Sequence, residues 1–164
     1  MRNELATALQ FILDSEPQAQ AVVHGRTGFE EIQGNVYFYP FWDGTLVAAE
    51  ISGLPKGQNV CHGHFFGFHV HDGKGCTGNA SDPFADVHEH FNIYNCTHPN
   101  HTGDLPPLLA DNGYALSIVY TDRFVPEEVI DRTIVIHQNP DDFTTPPSGH
   151  AGLKMACGEI KAAF

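Results

Sequence analysis

His69 and His71 sit two residues apart in the run Gly67-Phe68-His69-Val70-His71-Asp72. In a strand, alternate side chains point the same way, so the pair would put two imidazoles on one face of rigid backbone. That is half of a metal site. Alone, such a pair reads more readily as a polar stripe on a solvated face, so further donors have to decide. Downstream stand His88, His90, His98, His101 and Asp104, and a later apolar run ends at His137. Eleven histidines against eight lysines and arginines is an excess that points to metal chemistry. Imidazoles suit copper and zinc, and a carboxylate added to them suits zinc better than copper.

These donors need a scaffold. The chain of 164 residues is long enough for one domain with a real core, and its 16 glycines, 11 prolines and low charged fraction (17%) favour a turn-rich β fold. Short β-prone runs recur at Ala21-Val22-Val23, Val36 to Tyr39, Leu46 to Ile51, the His69–His71 stretch, Tyr114 to Tyr120, Arg132 to His137 and Met155 to Ile160. No helical pattern separates them, which predicts an all-β antiparallel sandwich or barrel. Asp43-Gly44 is a two-residue hairpin signal. Residues 72–112 and 138–152 show little periodicity and read as loops, and a loop as long as the first has to be functional or tied down. Residues 3–13 carry Leu5, Leu9, Ile12 and Leu13 at helical spacing, with Asn3 able to cap the start and Pro17 beyond the end. The expected organisation is an N-terminal helical extension over 1–18, lying by default on the sheet of a domain spanning 19–164.

The totals also exclude. A formal charge of −12 would repel a phosphate backbone or an anionic lipid surface, so neither nucleic acid nor membrane is an expected partner. No apolar run reaches the length of a membrane span, and the N-terminal one, flanked by Glu4, Asp14 and Glu16, does not read as a signal peptide. The chain as written is expected in the cytoplasm, with export open if an upstream signal has been removed. Cys61, Cys76, Cys96 and Cys157 contain no CxxC spacing, which argues against a zinc finger and leaves disulfides open.

Gly67 to His71, Gly75-Cys76-Thr77, His90-Phe91-Asn92, His101-Thr102-Gly103-Asp104-Leu105, Thr133 to His137, Asp141-Asp142 and Ala156-Cys157-Gly158 together resemble the copper–zinc superoxide dismutase family, in that family's order. The resemblance runs from about residue 20 to the C-terminus. It implies a Greek-key β-barrel with long metal-binding loops and an enzyme that dismutates superoxide to dioxygen and hydrogen peroxide. It also implies copper held by His69, His71, His90 and His137, and zinc held by His90, His98, His101 and Asp104. His90 would bridge the two metals and carry a proton to the product. Asp141 would link a copper-side to a zinc-side histidine, and Cys76 and Cys157 would form the intrasubunit disulfide.

The pattern departs in three places. Lys154 replaces the arginine expected over the copper; as the catalytic guide for the anion it keeps the charge and loses the planar fork, which implies lower activity. His98 and His101 are closer together than the family's zinc-loop histidines, which leaves His88 as a competitor for the place of His98. The loop before Lys154 carries no other lysine. A second disulfide between Cys61 and Cys96 stays open, His62 and His64 have no matching family position and read as polar surface residues, and His24 and His150 read as ordinary. The family includes dimers and monomers, so a homodimer is compatible. The alternative reading is a non-catalytic copper or zinc binding protein on the same fold, for storage or delivery.

Overall fold

The computed structural model describes residues 4–57 and 65–164. Asn3, Cys61, His62 and His64 lie outside the described residues, and with them the expected cap and the Cys61–Cys96 pairing. Cys96 itself is exposed and has no disulfide partner among the described residues.

In chain order the elements are α1 (Glu4–Asp14), β1 (Ala19–Gly25), β2 (Gln33–Phe41), β3 (Gly44–Ser52), β4 (Phe65–Phe66), β5 (Phe68–His71), a one-turn 3-10 helix (Ala85–Val87), β6 (Leu108–Leu109), β7 (Ala115–Thr121), α2 (Pro126–Val129), β8 (Thr133–His137) and β9 (Lys154–Ala162). Seven strands form one antiparallel sheet in the order β5-β8-β9-β1-β2-β3-β7, curled into a half-barrel. After the β1–β2–β3 meander the chain leaves for the opposite edge at β5. It returns beside β3 as β7 and crosses again to β8, and β9 fills the gap between β8 and β1. These long crossovers are the Greek-key character expected of the sequence.

Alternation builds the core. Ala19, Ala21 and Val23 of β1, Val36 and Phe38 of β2, Val47, Ala49 and Ile51 of β3 and Ile134 and Ile136 of β8 all face one buried cluster. Phe68 and Val70 join it from β5, which turns His69 and His71 to the opposite face, where both are still buried. That face lies under the loop 72–107, not in solvent. β5 is an edge strand, and the loop occupies its free edge. The Val70 N–H donates to Gly103 O (2.9 Å), the Phe91 N–H to Val70 O (2.9 Å) and the Asp72 N–H to Glu89 O (2.9 Å). The edge is therefore covered, and the covering backbone carries further histidines.

The Cys76–Cys157 disulfide joins the start of this loop to β9, with the Cα atoms 5.7 Å apart across 81 residues. Closing a loop of that size is worth about 4–5 kcal/mol in the chain-entropy model.

The hairpin between β2 and β3 differs from expectation by one residue. Phe41 pairs with Gly44, so the two turn residues are Trp42 and Asp43. A Cβ on Gly44 would lie 2.2 Å from Thr121 O of β7, so the glycine serves the strand's close packing and Trp42 takes the positive φ (50°). The helix α1 lies on the domain's own sheet, as expected, with Ile12 of the expected face joined by Phe11. Phe11 and Ile12 pack with Tyr37, Tyr39, Phe41 and Leu46, while Leu9 faces outward. No helix among the described residues is long and apolar enough to cross a membrane.

Candidate metal centre

Two buried quartets of donors share one residue. His69, His71, His90 and His137 each offer a ring nitrogen within 4.8 Å of the others, and so do His90, His98, His101 and Asp104 with one donor atom each. His69 and His71 come from β5 and His137 from the end of β8, its direct neighbour. His90 is set beside His71 by an isolated backbone bridge, and Asp104 beside His69 by another.

The hydrogen bonds decide which nitrogen of each ring is left free. A neutral imidazole has one N–H and one lone pair, and the partner of the first assigns the second. His69 Nε2 lies 2.8 Å from Asp141 Oδ2, which leaves its Nδ1 bare, buried and without a hydrogen-bond partner. His71 Nδ1 donates to His88 O (2.9 Å), so its Nε2 lone pair points inward, 3.2 Å from His137 Nε2. His137 Nδ1 faces Gly152 O at 3.4 Å. His98 Nε2 lies 2.8 Å from Asp141 Oδ1, which frees its Nδ1 to face Asp104 Oδ2 at 3.2 Å. His90 Nδ1 is 2.7 Å from Asp104 Oδ1 and 3.4 Å from His101 Nδ1, while its Nε2 is buried without a partner.

Donor atoms brought this close need a proton or a cation between them. Ligands about 2.0–2.1 Å from a tetrahedral zinc are about 3.3–3.4 Å from one another. His98 Nδ1 to Asp104, His101 Nδ1 to Asp104 (3.4 Å) and His90 Nδ1 to His101 Nδ1 are spaced on that scale. The orphaned nitrogens of His69, His90 and His98 thus fit metal ions, and the donor types divide: four imidazoles on one side, three imidazoles and a carboxylate on the other.

Electrostatics point the same way. Burial pushes His71 and His137 well below the ordinary histidine range, helped by the imidazoles beside them, and lowers His69 and His101 as well. Neutral imidazole is the form that binds a metal. Burial pushes Asp104 and Asp141 up, but histidine and backbone N–H hydrogen bonds outweigh it and hold both below the usual carboxylate range. Room for Asp141 comes from Gly149. A Cβ there would stand 1.9 Å from Asp141 Oδ1, and φ is +64°.

The donor set, its order in the chain and the curled sheet match one family, and a direct comparison agrees. The family model for copper/zinc superoxide dismutase matches residues 32–160. The chain belongs to the copper/zinc superoxide dismutase family. It is 30% identical to a Cu-Zn superoxide dismutase of Deinococcus radiodurans, over 90% of this chain and 86% of that protein. It is 28% identical to the extracellular Cu-Zn superoxide dismutase of Brugia pahangi, over 98% of this chain and 83% of that protein. A second Cu-Zn superoxide dismutase of Aquifex aeolicus is 27% identical over 80% of both chains.

The family implies copper and zinc, and the donors expected from the sequence do meet. Of the two candidates for one place, His98 is buried in the second quartet, whereas His88 has an exposed ring and contributes its backbone carbonyl to His71. Lys154 lies across from His137, beyond a bulge that leaves Met155 as the extra residue of β9. It lines a cavity of about 270 Å³ with His71, His90 and His137.

Several residues of the site escaped sequence reasoning. Arg123 donates Nη1 to the carbonyls of Pro99 (3.0 Å), His101 (3.1 Å) and Asp104 (3.4 Å) and so fastens the loop that carries the second quartet. Asp82 receives the Lys154 ammonium. Neither belongs to a motif.

Proposed function

We propose that the protein dismutates superoxide at a histidine-bridged copper–zinc pair, with His69, His71, His90 and His137 as the copper ligands. His90, His98, His101 and Asp104 would hold zinc. The supporting observation is the two-faced placement of His90, whose Nδ1 belongs to the Asp104 group and whose Nε2 turns, unpartnered, toward the other three histidines. Copper, when bound, supplies the one-electron couple that oxidises one superoxide to dioxygen and reduces a second to peroxide, chemistry that zinc lacks.

The residues supply the rest. Nε2 of His90 is the atom placed to carry a proton to the reduced product, because Nδ1 is held on the zinc side. Asp141 fixes the tautomers of His69 and His98 together, as outer carboxylates do for ligating imidazoles. Lys154 lines the cavity through which an anion would arrive. The domain that does this spans 19–164, with residues 1–18 as an appended helical segment.

The test is metal analysis paired with a superoxide assay. Protein loaded with both metals should show a type-2 copper EPR signal and remove superoxide. Full copper occupancy without activity would favour a storage or delivery protein on the same fold.

A further inference from the structure

The expected guide for the anion is not a free cation. Lys154 Nζ donates to Asp82 Oδ2 (2.6 Å) and to Phe84 O (3.1 Å), and its side chain is 21% exposed against 44% for Asp82. Among the described residues lining the copper-side cavity, Lys154 is the one lysine or arginine, and Glu89 lines the same cavity. We propose that Asp82 masks Lys154, so that this carboxylate sets how strongly the site attracts a small anion. The inference rests on the copper–zinc reading above.

The pair is built, not incidental. Asp82 Oδ1 accepts the Phe84 N–H (3.1 Å), the Asp82 N–H reaches Asn79 Oδ1 (3.1 Å), and the Asp82 carbonyl accepts from Asn79 (2.9 Å) and Ala85 (3.1 Å). These bonds aim the second carboxylate oxygen at the lysine. From the other side, the bulge at Met155 brings Lys154 opposite His137. The Cys76–Cys157 disulfide ties the segment that carries Asp82 to the strand that carries Lys154. Burial pushes Asp82 up, but the lysine pulls it below the usual carboxylate range, so the carboxylate keeps its charge at neutral pH. A unit positive and a unit negative charge in contact leave little net field at a distance. On a chain of charge −12, an anion then meets no uncompensated lysine at this mouth.

Asp82→Asn isolates the effect. An asparagine Oδ1 still accepts the Phe84 N–H, and the NH2 turned toward Lys154 cannot accept its proton. The ammonium is unmasked while the turn remains. The readout is azide binding to the copper(II) protein, followed by its absorption band at measured full copper occupancy, so turnover is not needed. At an ionic strength of about 10 mM, Asp82→Asn should bind azide about two- to fivefold more tightly than the natural protein. The gain should vanish near 1 M salt, where screening acts within about 3 Å. Asp82→Ser should gain likewise, and Asp82→Glu, which keeps the charge, should behave as the natural protein.

Unchanged or weaker azide binding in both Asp82→Asn and Asp82→Ser overturns the inference alone, and so does a gain that ignores salt. Failure of the natural protein to take up copper overturns the metal reading first, and this inference with it.

Discussion

The two halves of the centre are held by different means. On the proposed copper side, three of the four imidazoles stand on neighbouring strands, and the β5–β8 ladder fixes their spacing. On the proposed zinc side, all four donors come from one loop, between residues 90 and 104. A strand delivers its side chains at a period set by the backbone, so two histidines two residues apart are aligned as soon as the sheet forms. A loop has no such period and needs ties. Here they are the backbone bonds to the edge of β5, the Thr102 hydroxyl that accepts the Ile93 N–H (3.0 Å), and the three carbonyls gathered by Arg123. Ligand geometry is therefore a consequence of the fold on one side and of outside fasteners on the other.

His90 belongs to both halves, so removing it should have the largest effect. His90→Ala should lower superoxide removal by at least about a hundredfold, the scale of a lost proton-transfer group, and should weaken the binding of both metals. Metal content and rate equal to those of the natural protein would show that the two quartets are independent.

Acid should separate the halves next. The ring nitrogens of His71 and His137 are pushed well below the ordinary range by burial, while the shift of His101 is opposed by the Asp104 carboxylate beside it. A histidine whose folded pKa is depressed takes up its proton first in the unfolded chain. Its stabilising effect is fully present above about pH 6.5 and is lost as pH falls through the folded value. Metal-free protein should lose stability from about pH 6.5 downward, at about 1.4 kcal/mol per pH unit for each histidine kept neutral. Thermal melts at successive pH values measure this. In His71→Gln the slope should be shallower, whereas His101→Gln should change it less. Equal slopes in both variants would erase the distinction.

Asp141 couples the halves without being a candidate ligand. Its two oxygens hold His69 and His98, one ring from each quartet. Asp141→Ala should cost about 10–100-fold in affinity for both metals, read by chelator competition. A loss confined to one metal would mean that the carboxylate orients a single ring.

What could be read from the sequence follows the same division. The His69–His71 spacing and His137 at a strand end were legible because strands have a period. The curled antiparallel sheet was legible because its runs alternate or end at turn residues. Asp141 and the disulfide pairing came from the resemblance to a family. The hairpin turn was misplaced by one residue because Gly44 also reads as a turn residue, when β7 is what requires it. Asp82 and Lys154 are 72 residues apart, and nothing in either neighbourhood announces that they meet. Local pattern encodes local geometry, and contacts made by loops across the molecule leave no periodic trace.

Arg123 is the plainest case of that kind, and it gives the smallest and most selective prediction. It follows the end of β7 in Thr121-Asp122-Arg123-Phe124, a stretch with no motif, and its side chain is largely exposed. Its guanidinium nonetheless reaches three carbonyls of the segment that carries His98, His101 and Asp104. None of these bonds touches a candidate ligand atom, so the donors should persist in Arg123→Ala and be held less firmly. Zinc affinity should fall by about tenfold or less, with faster zinc release, while copper affinity stays unchanged. Chelator competition run separately for each metal would measure both. Arg123→Lys keeps a positive charge but not the planar fork, so it should recover part of the zinc affinity and not all of it. Equal weakening of copper in Arg123→Ala would mean that the loop transmits its looseness through His90, and that the strands do not insulate their half of the centre.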